Sequence, residues 1–184
     1  MILIIPIGNI DGDMVTGVSA FVESYYSRLG LSVRILRPLP ERYFNGAFNG
    51  IRGQYLGRLF LPPLAKIRER EGETAALGIT SLDLYEGELN FIFGLAHPGL
   101  RTAVISTFRL RPELYGNAPN AQILEKRAVK EAMHELGHVF GLPHCPEVRC
   151  VMHFSNSIAD TDVKSPYYCG SCLNLLKRNL GVLL

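Results

Sequence analysis

His134-Glu135-Leu136-Gly137-His138-Val139-Phe140-Gly141-Leu142-Pro143-His144 is the stretch of this 184-residue chain whose residue types and spacing can do chemistry. On an α-helix, side chains four apart share a face about 6 Å apart along the axis, so His134 and His138 can aim their imidazoles at one cation. Glu135 then sits beside the ion, placed to take a proton from a metal-activated water, the role the H-E-x-x-H pattern assigns to its glutamate. Gly141 tolerates the positive φ that ends a helix sharply, and Pro143 keeps the helix from resuming. The chain can therefore fold back and bring His144 up as a third ligand. Three neutral imidazoles and one water make the open tetrahedral site of a catalytic zinc, whereas a structural site is closed by protein on every side. With 5 His in the chain, H-E-x-x-H alone arises by chance roughly once in a hundred such chains, and the form extended by Gly and His on the order of once in tens of thousands. The extended form carries the weight. A rival third ligand is a downstream carboxylate, but the acidic residues after His138 are Glu147, Asp160 and Asp162, none in a convincing helical motif, which favours His144.

All four cysteines, Cys145, Cys150, Cys169 and Cys172, follow directly. Four thiols in so short a span, ending in C-x-x-C, fit a closed tetrahedral thiolate site for a structural zinc. Two disulfides are the alternative, but nothing marks the chain for an oxidising compartment, and C-x-x-C in a reducing one reads as metal or redox. Neighbouring side chains of an extended segment point opposite ways, so His144 and Cys145 can serve two metals from one segment. A thiolate zinc would then stiffen the loop that carries His144 and Met152.

The order H-E-x-x-H-x-x-G-x-x-H-C, Cys150-x-Met152 and Cys169-x-x-Cys172 resembles the archaemetzincins, small relatives of the metzincin metalloproteases whose signature is the extended histidine motif. The resemblance spans residues 129 to 172 and implies two zinc ions, one catalytic on His134, His138 and His144, the other on Cys145, Cys150, Cys169 and Cys172. It also implies that Met152 is the methionine of a Met-turn, an apolar floor under the catalytic metal. Some metzincins place an oxyanion-supporting tyrosine after that turn, which makes Tyr167 and Tyr168 candidates.

The elements that must position these residues read as a mixed α/β domain. Residues 2 to 7 form a continuous apolar run, the pattern of a strand covered on both faces. Met14, Val18, Phe21, Val22, Tyr25 and Leu29 recur at helical spacing after Asp11 or Asp13 as N-cap, and Gly30 closes the helix. Residues 31 to 36 give a second strand, parallel to the first. Residues 38 to 53 read as a long loop, and 54 to 71 as a helical stretch interrupted by Pro62-Pro63. A strand over 75 to 85, a turn at Glu86-Gly87-Glu88, a returning antiparallel strand over 89 to 95 and a strand over 102 to 108 follow. This order is similar to the metzincin amino-terminal half, a twisted, mostly parallel sheet with one antiparallel edge strand bordering the cleft; such an edge, over 91 to 96, either binds an extended peptide by strand addition or is an edge shielded by loops. The motif helix starts after Pro119-Asn120 and buries Leu124, Ala128, Ala132 and Leu136 in one row. Glu131 shares the metal-facing stripe; pairing with Arg127 at i,i+4 is favoured over orienting a ligand imidazole. Residues 173 to 180 make a short C-terminal helix. His97 and His153 have no partner at ligand spacing and read as turn or surface residues.

Composition sets the remaining bounds. With 47% apolar and 20% charged residues, the chain is an ordinary globular domain, 1–184, with subdomains 1–141 and 142–184, large enough to bury roughly 70% of its unfolded surface without disulfides. The net charge is +2, and basic residues alternate with acidic ones from Lys66 to Glu71, so no nucleic-acid surface is expected. The apolar N-terminus has no basic flank or cleavage site, and no run approaches a membrane span. A cytoplasmic monomer without a pro-segment is expected, acting on peptides or proteins as a zinc-dependent peptidase. Two rivals share the same residues: a zinc-stapled peptide-binding module with little turnover, and an amidase for small non-peptide amides.

Overall fold

The computed structural model describes residues 1–182. In chain order its regular elements are β1 (Ile2–Ile7), α1 (Gly12–Tyr26), β2 (Val33–Ile35), β3 (Phe48–Asn49), β4 (Gln54–Leu56), α2 (Leu61–Glu71), β5 (Ala75–Thr80), β6 (Leu84–Tyr85), β7 (Gly94–His97), β8 (Thr102–Ser106), α3 (Ala121–Val139), α4 (Ile158–Val163) and α5 (Gly170–Asn179). The main sheet has the order β2-β1-β5-β8-β7. Its first four strands are parallel, and β7 runs antiparallel to β8 at the edge.

Strand alternation divides the core into two layers. Ile2 and Ile4 of β1, Leu77 and Ile79 of β5 and Ile105 of β8 face the core shared with α1 and α3. Leu3, Ile5, Ile7, Ala76 and Val104 face the opposite core, against Phe60, Leu61 and Leu64 at the start of α2. Each fully buried aliphatic side chain contributes roughly 1.5–3 kcal/mol, and the strands buried on both faces read as unbroken apolar runs for that reason. α3 lies against β7 and β8 and beside α1. It therefore runs directly under the antiparallel edge.

Several expected boundaries move. The strand over 75 to 85 ends at Thr80, whose hydroxyl donates to the Ile7 carbonyl and accepts the Leu82 N–H, turning the chain out of the sheet. β6 instead joins β4 in a separate sheet of order β3-β4-β6. The returning strand is shorter and later than residues 89 to 95, and it pairs with β8, which separates it from β5. Pro62 and Pro63 do not interrupt a helix. They lie in the first turn of α2, where their missing N–H groups have no helical partner to lose, and residues 54 to 56 are strand. The 38 to 53 region contains 3₁₀ turns over Glu41–Ala47. The last helix begins at Gly170 rather than 173, with Cys169 at the N-cap position. Asp11 is the N-cap of α1, accepting the Asp13 N–H at 2.9 Å. Among the described residues, no helix is long and apolar enough to cross a membrane.

Candidate metal centre

α3 positions the motif. Asn120 caps its start by accepting the Ile123 N–H at 3.0 Å. At its end the Gly141 N–H donates to the His138 carbonyl and the Leu142 N–H to the Gly137 carbonyl, both at 2.9 Å. This paired closure needs a left-handed residue, and Gly141 has φ 85°. The closure also does chemical work, because the Leu142 carbonyl accepts from His138 Nδ1 at 2.8 Å. The Val151 carbonyl likewise accepts from His134 Nδ1 at 2.7 Å. Carbonyls only accept, so both Nδ1 atoms carry the proton and both Nε2 atoms present lone pairs.

Those two lone pairs face each other across 3.1 Å. Burial holds the pKa of His134 well below 6.5 and that of His138 below it, so neither is charged at neutral pH. Two acceptor nitrogens that close repel unless a cation lies between them. Tetrahedral zinc with bonds of 2.0–2.1 Å sets neighbouring nitrogens roughly 3.3–3.4 Å apart, close to the observed spacing. The His144 ring completes the group at 4.7 Å from His138 and 5.4 Å from His134, and Phe154 packs against it at 5.0 Å. The ligand atoms of all three lie within 4.8 Å of one another. These residues fit a zinc ion.

Glu135 lies one residue along the helix, almost wholly buried, and burial together with the Glu131 carboxylate raises its pKa well above 4.5 while Lys164 opposes the rise. It is pressed against the edge strand. A Cβ on Gly94 would sit 2.6 Å from Glu135 Oε1, so only glycine lets β7 approach so closely. Gly137 plays the matching part below, because a Cβ there would collide with the buried sulfur of Met152. The Met152 side chain thus seats against Gly137 of the motif helix.

The thiol cluster adjoins this floor. Cys145, Cys150, Cys169 and Cys172 bring their sulfurs within 4.8 Å of one another, and all four are free thiols. Cys145 Sγ and Cys169 Sγ are 3.8 Å apart, far beyond a disulfide of about 2.05 Å. Zinc–sulfur bonds of about 2.3 Å place tetrahedral sulfurs roughly 3.8 Å apart, so the spacing fits zinc. Backbone bonds join the two sites: the Cys145 N–H donates to the Met152 carbonyl at 3.0 Å, and Val151, whose carbonyl holds His134, lies between Cys150 and Met152.

A family model described as Peptidase family M54 matches residues 4–178. The chain belongs to peptidase family M54. Among M54 relatives, the archaemetzincin of Thermococcus kodakarensis is 55% identical over 184 residues, covering 100% of this chain and 99% of that one. The crystal structure of the Methanopyrus kandleri archaemetzincin superposes with TM-score 0.80 at 39% identity, covering 98% of this chain and 96% of that one. A structure described as a zinc-dependent peptidase from Methanocorpusculum labreanum gives TM-score 0.82 at 30% identity over 96% of this chain and 100% of that one. This M54 chain is thus an archaemetzincin-like metallopeptidase.

Other expectations resolve differently. Glu131 does not pair with Arg127. It turns inward to Lys164 Nζ at 3.0 Å and accepts from Thr161 Oγ1 at 3.1 Å, while Arg127 forms a bidentate pair with Asp162 on α4 at 2.8 and 2.7 Å. Nor does Glu131 orient an imidazole, since backbone carbonyls do that. Tyr168 donates to the Met133 carbonyl and bonds the Tyr26 hydroxyl, both at 2.6 Å, and Tyr167 packs on Phe21 and Tyr25. Both tyrosines are held on the α1 side, not in the cleft. His97 Nδ1 accepts the Leu100 N–H and His153 Nδ1 bonds the Cys145 carbonyl, so both stabilise turns. Gly94, Phe154 and Lys164 join the cleft without having been singled out. A glycine inside an apolar strand signals close backbone approach and marks Gly94; no local pattern marks Lys164.

The shifted ionisations set a pH dependence for the metal-free protein. Burial lowers the pKa values of His134, His138 and His144 from 6.5, so below that pH the unfolded chain binds more protons than the fold. Their contribution is fully present above 6.5 and is lost as pH falls toward the folded-state values. Glu135 acts oppositely: its raised pKa contributes stability that is full below 4.5 and is lost as pH rises through the folded value. In metal-free Glu135→Gln only the histidine contribution remains of the two. Its melting temperature is therefore expected to fall more steeply than wild type between pH 6.5 and 4.5, as thermal scans across that range would show.

Proposed function

We propose that this M54 peptidase hydrolyses peptide bonds with a zinc ion held by His134, His138 and His144, with Glu135 as general base. A second zinc held by Cys145, Cys150, Cys169 and Cys172 serves structure alone. The observation that carries the reading is the convergence of three neutral imidazoles, two with their tautomers set by backbone carbonyls, beside a buried carboxylate. The M. labreanum relative's description as a zinc-dependent peptidase supports the choice of metal.

When bound, zinc supplies the Lewis acid that polarises the scissile carbonyl and acidifies water. Glu135 accepts the proton of the attacking water and passes it to the leaving amide nitrogen. Its raised affinity for a proton suits that shuttle, because a carboxylate made more basic by burial takes the proton more readily and holds it until the leaving nitrogen can accept it. β7 has one face of its ladder bonded to β8, and its outer edge is suited to take an extended substrate by strand addition over α3. On this reading the chain works as a monomeric cytoplasmic enzyme of two subdomains, 1–141 and 142–184.

Metal removal tests the reading. Chelation is expected to abolish cleavage of a mixed peptide library followed by mass spectrometry, and added zinc to restore it. The histidine site should empty first, since it exchanges through an open position while four thiolates enclose theirs. Zinc-loaded protein that captures peptides without cleaving them would instead make the chain a binding module.

A further inference from the structure

Beside Glu135 a recess of about 230 Å³ opens between residues 89–94, α3 and residues 154–156, room for a side chain or a chain end but not for a whole peptide. Exposed Leu89 and Asn156 lie at its mouth, and Glu131 and Lys164 are its most buried polar lining residues. Lys164 is 1% exposed. Its Nζ lies 3.0 Å from Glu131 Oε1, yet among the described residues no acceptor meets it in hydrogen-bonding geometry. The ammonium is therefore charge-paired with Glu131 while at least two of its three donors find no acceptor among the described residues. Ser155 Oγ, of another residue lining the recess, is also buried without a partner among the described residues. Unmet buried donors are costly and call for an acceptor.

We propose that this recess binds a carboxylate of the substrate next to the scissile bond, with Lys164 as its cation and Ser155 as a second donor. The proposal rests on the peptidase reading only for the identity of the molecule that brings the carboxylate. Charge agrees with it. The charged groups facing the recess are the Glu131 and Glu135 carboxylates and the Lys164 ammonium; with a divalent cation on the histidines the group carries one surplus positive charge, which one carboxylate balances. Lys130 does not contribute, since its ammonium is spent on the Thr161 and Asp162 carbonyls. The carboxylate has two possible sources, an acidic side chain or a free C-terminus.

Matched peptides decide it: Glu against Gln at each position flanking the cleaved bond with the C-terminus amidated, and free against amidated C-termini with Gln at those positions. The zinc-loaded enzyme is expected to show kcat/KM about tenfold higher for the carboxylate member of one pair, the size of one charged hydrogen bond. Zinc-loaded Glu135→Gln should bind the same member about tenfold tighter by calorimetry, a readout independent of turnover. Because removing Lys164 alone strands Glu131, the test variant is the double change Glu131→Gln with Lys164→Met, in which the ratio should fall to about one; Ser155→Ala should lower it severalfold. Cleavage with no carboxylate preference overturns the subsite and leaves the peptidase reading standing. Carboxylate-dependent binding without any turnover does the reverse. A preference that survives the double change, or no binding by any of the peptides, overturns the proposal.

Discussion

Glu135→Gln is expected to lower kcat/KM for peptide hydrolysis about 10³-fold, the middle of the range for losing a positioned general base. The amide is isosteric, which matters here because Gly94 leaves the side chain no spare room. It keeps the shape of the cleft and removes the proton acceptor. Zinc content should stay unchanged, and KM should move little, because the imidazoles and the β7 edge remain in place. A variant that retains wild-type turnover with zinc bound would remove Glu135 from the chemistry.

The second large effect lies outside the cleft. Cys150→Ser is expected to lose the thiolate-bound zinc and to destabilise the fold by about 5 kcal/mol or more, since structural zinc contributes folding free energy directly. For a chain of this size that corresponds to a fall in melting temperature of roughly 10–20 °C. Because Val151 carries the carbonyl that orients His134, and Met152 seats against Gly137, the same change should weaken zinc binding at the histidines about 10- to 100-fold, the usual cost of losing a partner that orients a ligand. Metal titration of the variant checks this. Unchanged affinity at the histidines would show the two sites to be independent.

The sequence made some of this legible because the chemistry is local. His134, Glu135, His138, Gly141 and His144 lie in the last two turns of α3 and its exit, so spacing alone brings them together, and the six apolar residues of β1 announce a strand buried on both faces. The expected strand over 75 to 85 overran because Leu82 and Leu84 continue the apolar pattern past the turn that the Thr80 hydroxyl makes. β7 paired with β8 rather than β5, a choice made by sheet order, to which local alternation is blind. Glu131 is the sharpest case. Its i,i+4 neighbour Arg127 is the obvious partner on a helix, but burial sent Glu131 to Lys164, a residue distant in the chain that no periodicity connects to it.

Diffraction at the zinc absorption edge, from crystals grown with zinc, tests the two-metal arrangement most directly. Two anomalous peaks are expected, one about 2.0–2.1 Å from an imidazole nitrogen of each of His134, His138 and His144, the other about 2.3 Å from the sulfurs of Cys145, Cys150, Cys169 and Cys172. Imidazoles that point away from any common centre, or cysteines joined in disulfides with no second peak, would contradict it.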